Sequence, residues 1–213
     1  MRTILVFLFL CSGLTLFCLS KSDVKVDNIT WQNGDIILTS SGGTQGEAVK
    51  AATNSEWTHT AVIYLKDGQP MVLEAVQPVQ TLSLQKYLNR YGKNRKHSFM
   101  RLKDPSKLKP EFIAKANTWA SKHLGKNYDG RFQWSDKTMY CSELVWKIYD
   151  EAADIQLCKI RQVKDYDLKH PKVAALIKNR FGSIDRLKLD EKIVAPSDIA
   201  DSELLEVIEI DKE

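Results

Sequence analysis

The stretch Thr58-His-Thr-Ala-Val-Ile-Tyr-Leu65, Lys66-Asp-Gly-Gln69, Pro70-Met-Val-Leu-Glu-Ala-Val76 decides how this chain is read. Two apolar runs rich in β-branched residues flank an Asp-Gly pair, the strongest short-range signal of a β-hairpin. With Asp67 and Gly68 at the centre of the turn, Ala61 faces Glu74 and His59 faces Val76. His59 and Glu74 are then diagonal neighbours on one face, about 7 to 8 Å apart in backbone terms and within reach of two polar side chains leaning together. A carboxylate that accepts one imidazole N–H fixes the ring's tautomer and stabilises its charged form. The same face carries Ala61, Ile63 and Val72, so it points to a cleft rather than to open water.

Outward from the hairpin, a strand is expected at Asp35 to Thr39, then a loop Ser40 to Gly46 and a short helix from Glu47 to about Thr53. A third strand after the hairpin runs Ser98 to Leu102. Pro110 opens a helix with Phe112, Ala116, Trp119, Ala120 and Leu124 on one side and Gly125 beyond its end. A second helix follows Cys141, where Leu144, Val145, Ile148, Tyr149 and Ala152 fall at helical spacing. The remainder reads as short helical and loop segments, with an edge strand near Leu204 to Ile210. Strands in the first half and helices in the second give an α+β domain with an antiparallel sheet, not alternating βαβ units.

The first twenty residues are a separate object. Met1-Arg2 precedes an uncharged run, Thr3 to Leu19, dominated by Leu, Phe, Val and Ile, with small residues at Cys18 and Ser20. This pattern predicts a secretory signal at residues 1–20 cleaved after Ser20, an N-terminal membrane anchor being the alternative, and a domain over residues 21–213 exported to the periplasm or cell envelope. Export leaves Cys141 and Cys158 as the two thiols, and an oxidising compartment allows a disulfide between them. Against pairing, Cys141 stands at a helix start, where unpaired backbone N–H groups favour the thiolate, whereas Cys158 follows the helix in a polar stretch.

Across 213 residues, 43% hydrophobic and 27% charged content exclude disordered, collagen-like and multi-span membrane classes. The net charge of +4 is too balanced to argue for nucleic acid. Between Lys86 and Lys126, 12 Lys or Arg face two acids, best read as solvated helix and loop faces. The loop Gly42-Gly-Thr-Gln-Gly46 lacks the Gly-Lys-Ser/Thr ending of a phosphate loop and is followed by a hairpin, so no nucleotide is expected; its glycines read as room for a substrate or tight turns. His97, His123 and His170 are expected at the surface, and no set of residues has metal-ligand spacing, so neither cofactor nor metal is assigned.

Taken in order, Trp31-x-x-Gly-Asp-Ile-Ile37, Trp57-Thr-His-Thr-Ala-Val-Ile63, Val72-Leu-Glu-Ala75, Gly125-Lys-Asn-Tyr-Asp129, Tyr140-Cys-Ser-Glu-Leu-Val145 and Ala195-Pro-Ser-Asp-Ile199 resemble the permuted papain-like cysteine hydrolases of the NlpC superfamily, YiiX-like group. The resemblance implies a circularly permuted papain-like fold, an antiparallel sheet or half-barrel packed on the cysteine helix. It implies Cys141 as nucleophile, His59 as general base and Glu74 as orienter, in the reverse of papain's order. The Cys141 backbone N–H and one of Tyr128, Tyr140 or Gln45 are candidates for holding an oxyanion, Tyr128 first. Asp35 reads as a strand-start residue. The expected activity is cleavage of an amide in a small cell-envelope peptide or amino-acyl amide, with lipid ester hydrolysis or acyl transfer, or a non-catalytic binding module, as alternatives. Amide is preferred because Gln45, Glu56 and Asp129 suggest charge partners near the thiol rather than acyl-chain volume.

Overall fold

The structure is a computed structural model that describes residues 29–92 and 95–209; the expected signal at 1–20 and its cleavage site lie outside them. The first half builds β1 (Ile36–Thr39), α1 (Gly43–Thr53), β2 (His59–Lys66), β3 (Gln69–Glu74), β4 (Gln80–Ser83), α2 (Leu84–Tyr91) and β5 (His97–Leu102). The second half adds α3 (Phe112–His123), α4 (Cys141–Ala153), β6 (Arg161–Gln162), α5 (Pro171–Phe181), β7 (Lys192–Ile193), α6 (Pro196–Ala200) and β8 (Leu205–Val207). Six strands form one antiparallel sheet in the order β4-β3-β2-β1-β5-β8, which is the α+β arrangement expected.

The β2–β3 hairpin has the register read from its turn: Ile63 pairs with Val72 and Lys66 with Gln69. Asp67 and Gly68 both take positive φ, 52° and 76°, as a tight turn matching strand twist requires. Because side chains alternate along a strand, the two faces separate cleanly. Ile37, Ala61, Ile63 and Val72 pack under Leu84, Tyr87 and Leu88 of α2, while Ile36, Val62 and Leu73 pack with Leu144, Val145 and Ile148 of α4. Burying each such aliphatic side chain stabilises the fold by about 1.5–3 kcal/mol, so both helices are fixed by their apolar stripes.

Some elements depart from expectation. The glycine-rich stretch is not a loop: α1 begins at Gly43, and Gly46 is inside it and buried. A Cβ at Gly46 would come within 2.6 Å of the Ser41 carbonyl oxygen, so this glycine allows close packing and does not leave room for substrate. The stretch expected to hold only short helical and loop segments contains an 11-residue helix, α5, opened by Pro171 and a His170 Nδ1 that accepts from the Lys172 N–H at 3.2 Å. α2 was likewise unassigned, although Leu84, Tyr87, Leu88 and Tyr91 have the spacing of one helix face. His97 and His123 are not surface residues. His123 is buried, stacked on Trp119 with centroids 4.0 Å apart, and His97 meets Thr39 Oγ1 at 3.0 Å; burial lowers both to about 4.

Entry into the sheet is locked at Gly34 and Asp35. Gly34 has φ +93°, and a Cβ there would lie 2.9 Å from Leu108 Cδ1, while its carbonyl accepts from the Tyr149 hydroxyl of α4. Asp35, 1% exposed, accepts the Gln32 N–H and two guanidinium nitrogens of Arg101, each at 2.7 Å. It is the strand-start residue its position suggested. Arg101→Met leaves that carboxylate buried and unpaired, so unfolding stability in urea should fall by about 3–5 kcal/mol. A loss under about 1 kcal/mol would contradict this account of the Gly-Asp pair.

Candidate active site

Glu74 is the last residue of β3 and is fully buried. A carboxylate in that position is stable only if its oxygens are matched by donors or cations. Its Oε1 accepts from Arg90 at 2.5 Å and Gln80 Nε2 at 3.1 Å, and its Oε2 meets His59 Nε2 at 3.1 Å. Burial opposes its charge, but His59 and Arg90 prevail and hold the carboxyl below its usual range. The diagonal His59–Glu74 pair predicted from the turn is therefore formed. Arg90 and Gln80 were not foreseen, because α2 and β4, which carry them, were unassigned.

His59 opens β2, and its ring lies beside Tyr87 and Tyr91, with centroids 6.2 and 5.9 Å away. With Nε2 facing Glu74, Nδ1 remains for the thiol. The ring and the Cys141 thiol lie close enough for each to shift the other's charge state. Burial pulls the imidazole down, but Cys141 and then Glu74 raise it to about 9. Burial likewise pushes the thiol up, and His59 outweighs it, with the Thr60 and Ser142 backbones assisting, so Cys141 falls below its ordinary value. The two shifts favour an imidazolium–thiolate pair.

Cys141 is the first residue of α4. Tyr140 before it is extended (φ −106°, ψ 167°), and its N–H donates to Glu143 Oε2 at 3.4 Å. The thiol thus sits where α4 begins and β2 begins, which is how a cysteine on one side of the sheet meets a histidine from the other. Thr60, on the α4 side with Val62, has a buried hydroxyl without a partner among the described residues. No pattern in the sequence singled it out. Cys158 is also free; burial, then Asp198, pushes it up to about 12, and no disulfide joins it to Cys141.

Gln45 and Tyr128 are brought together beside the cysteine. Arg180 donates to Gln45 Oε1 at 2.5 Å, and Gln45 Nε2 donates to the Tyr128 hydroxyl at 2.8 Å, leaving the tyrosine O–H proton to point elsewhere. Tyr140 is placed differently. Its hydroxyl accepts the Val194 N–H at 3.2 Å and its ring packs edge-on against Phe132, a structural post at the helix start. Glu56 pairs with Lys96, and Asp129 accepts the N–H groups of Arg131 and Gln133, so neither supplies a free charge. Of the three expected partners, Gln45 lies beside the thiol, but it is already bonded to Arg180 and Tyr128. Cys141 also borders a solvent-open pocket of about 120 Å³, lined in part by aliphatic side chains of α1 and α5, with Arg131 and Arg180 on its walls. Sequence reading missed it because α5 was unassigned.

The chain is similar to known proteins. Residues 30–209 match the family described as the permuted papain-like amidase enzyme, YaeF/YiiX, C92 family. The chain is 34% identical over 187 residues to the uncharacterized protein YiiX of Escherichia coli strain K12, covering 87% of this chain and 90% of that one. A solved structure described as metalloprotein yiiX, DUF1105, from Escherichia coli O157:H7 superposes with a TM-score of 0.78 at 33% identity, over 86% of this chain and 99% of that one. With a buried His between a carboxylate and a helix-start cysteine, in permuted order, this chain belongs to the permuted papain-like amidase family, YaeF/YiiX group.

Proposed function

We propose that the protein is a cysteine amidase working through an acyl-thioester on Cys141, with His59 as general base and acid and Glu74 as its orienter. The observation that carries this reading is the buried His59 ring held between Glu74 Oε2, at 3.1 Å, and the thiol. The thiolate adds to the amide carbonyl. The Cys141 N–H, at the positive end of α4, and the Tyr128 O–H, aimed by Gln45, take the oxyanion. Collapse breaks the C–N bond as the imidazolium gives its proton to the departing amine. Water, deprotonated by His59, then attacks the thioester, releasing a carboxylic acid and restoring the thiol.

Glu74 serves by position. Its other oxygen is occupied by Arg90 and Gln80, so it cannot swing away from the ring as the imidazole charges and discharges. The same occupancy bears on the relative described as a metalloprotein. In this chain Glu74 is already fully engaged, leaving Cys141 and His59 as two donors, short of the three or four protein ligands usual at a zinc centre. Among the described residues no group of three or more His, Cys, Asp or Glu is placed to hold a metal ion, so the residues do not fit one. The substrate in this proposal is an amide of a cell-envelope peptide or amino-acyl group, met after export and removal of residues 1–20. Among the described residues no helix is long and apolar enough to cross a membrane.

Cys141→Ser should lower amide turnover at least about 10⁴-fold, whereas Cys158→Ser should retain most of it. Equal losses would refute the nucleophile assignment. His59→Ala should cost about 10³-fold and Glu74→Gln about 10- to 100-fold, since losing the base is worse than losing its orienter. A silent Glu74→Gln would remove it from the site.

The active pair is charged only between the lowered thiol value and the raised imidazole value near 9. As pH falls, the thiolate takes up a proton and kcat/KM should fall. As pH rises through about 9, the imidazolium is lost and kcat/KM should fall again. A rate still climbing beyond pH 10 would contradict the ion pair.

A further inference from the structure

The Thr60 hydroxyl is fully buried and, among the described residues, has no hydrogen-bond partner. Thr58, two residues earlier, shows the ordinary outcome: its hydroxyl donates to the Thr39 carbonyl at 3.2 Å and accepts the Ser41 N–H at 2.7 Å. Around Thr60 the interior is apolar, with Leu38 opposite it on β1 and Val62, Leu144 and Val145 in the core between the sheet and α4. Valine has nearly the same shape and no hydroxyl to strip of water, so threonine is the less stable choice here unless its hydroxyl has other work.

The backbone shows what the hydroxyl is near. In an antiparallel sheet the N–H groups of a strand point alternately to one neighbour and to the other. The Ile63 N–H donates to the Asp35 carbonyl at 2.6 Å, so odd residues of β2 turn to β1, while Val62 and Thr60 turn to β3. Val62 pairs there with Leu73, but the residue opposite Thr60 would be Ala75, past the end of β3 at Glu74, and that pair is not formed. The gap is where the sulfur arrives: the Thr60 backbone lies close enough to Cys141 to lower the thiol. Side chains alternate as well, so Thr60 presents its hydroxyl to the α4 side, from which the cysteine comes.

We propose that Thr60 is a positioning residue for the nucleophile, its hydroxyl being the donor that turns to the Cys141 sulfur when that atom is negative. This rests on the amidase reading and adds a residue to its site. A neutral thiol is a weak acceptor and leaves the hydroxyl unpaired; a thiolate accepts strongly, so the bond belongs to the charged state alone. Such a bond lowers the thiol and leaves the imidazole where it is. The other charges facing the sulfur are His59 and, through it, Glu74 and Arg90, with Arg180 of α5 beyond Gln45. Tyr87, Tyr91, Tyr128 and Tyr140 also surround it and are kept neutral by burial. Glu143, two residues on in α4, is raised to about 7 by burial and titrates alike in every variant.

The test is the rate of Cys141 alkylation by iodoacetamide against pH, mapped by peptide analysis, in the wild-type chain, Thr60→Val, Thr60→Ala and Thr60→Ser. Cys158, pushed up to about 12, stays unreactive across the range. Thr60→Val and Thr60→Ala should move the midpoint of the rise up by about one pH unit, a tenfold loss of thiolate below it, and the second inflection near 9, where His59 discharges, should not move. Thr60→Ser should overlay the wild type. The melting temperature of Thr60→Val should hold or rise, because valine removes an unpaired buried hydroxyl. A midpoint that stays in place without the hydroxyl overturns the proposal, and so does an equal shift in Thr60→Ser, which assigns the effect to the lost methyl. Slower alkylation that tracks a lower melting temperature, with no change of midpoint, makes Thr60 structural and overturns it too. Alkylation needs no substrate, so each of these results counts against Thr60 and leaves the amidase reading standing. A wild-type Cys141 that alkylates as a free cysteine does, with its midpoint near about 8.5, overturns both.

Discussion

One carboxylate, Glu74, sets conditions that much of the fold must meet. It is fully buried at the end of β3, and an isolated charge in such a place would be neutralised by taking up a proton or would cost several kcal/mol. Three groups from three other elements prevent this: His59 from β2, Gln80 from β4 and Arg90 from α2. Moving β2 by one residue would turn His59 to the opposite face, and losing α2 would remove the Arg90 guanidinium from the cluster. The need to satisfy this charge therefore ties the hairpin register, the edge strand and the covering helix to one another.

The sheet then acts as a partition. α2 covers the His59–Glu74 face, and α4 covers the other with Leu144, Val145 and Ile148. The thiol and the imidazole meet only because both stand at the starts of their elements, at one end of the sheet. That placement also surrounds the thiol with the backbones of Thr60 and Ser142, which together with His59 offset the cost of burying a thiolate. The internal cations have the same logic. Arg90 and Arg101 belong to the basic region of the sequence, yet they serve buried carboxylates rather than a solvated face, which corrects the simple reading of that charge excess.

Several features were legible without coordinates. The Asp67-Gly68 turn fixed the register of β2 and β3, and with it the His59–Glu74 diagonal, because a two-residue turn leaves one pairing open. The helical spacing of Leu144, Val145, Ile148, Tyr149 and Ala152 marked Cys141 as a helix start. The ordered motifs pointed to the family that residues 30–209 match. These are local signals, carried by short spacings along the chain.

Tertiary structure decided what depends on long separations. Arg90 reaching Glu74 and Arg180 reaching Gln45 are not local patterns, and neither is visible until α2 and α5 pack against the rest. The burial of His123 and the partial burial of His97 follow from packing that charged neighbours in the sequence disguised. Above all, the setting of the thiol was not readable. Polar residues near Cys141 in the motifs turned out to be bonded to one another, and helices about 120 residues apart in the chain, α1 and α5, close an apolar pocket beside it. The sequence by itself singled out His59, Glu74 and Cys141, because turn and helix-start geometry are local; the fold decided what those groups face, because burial is a property of the whole chain.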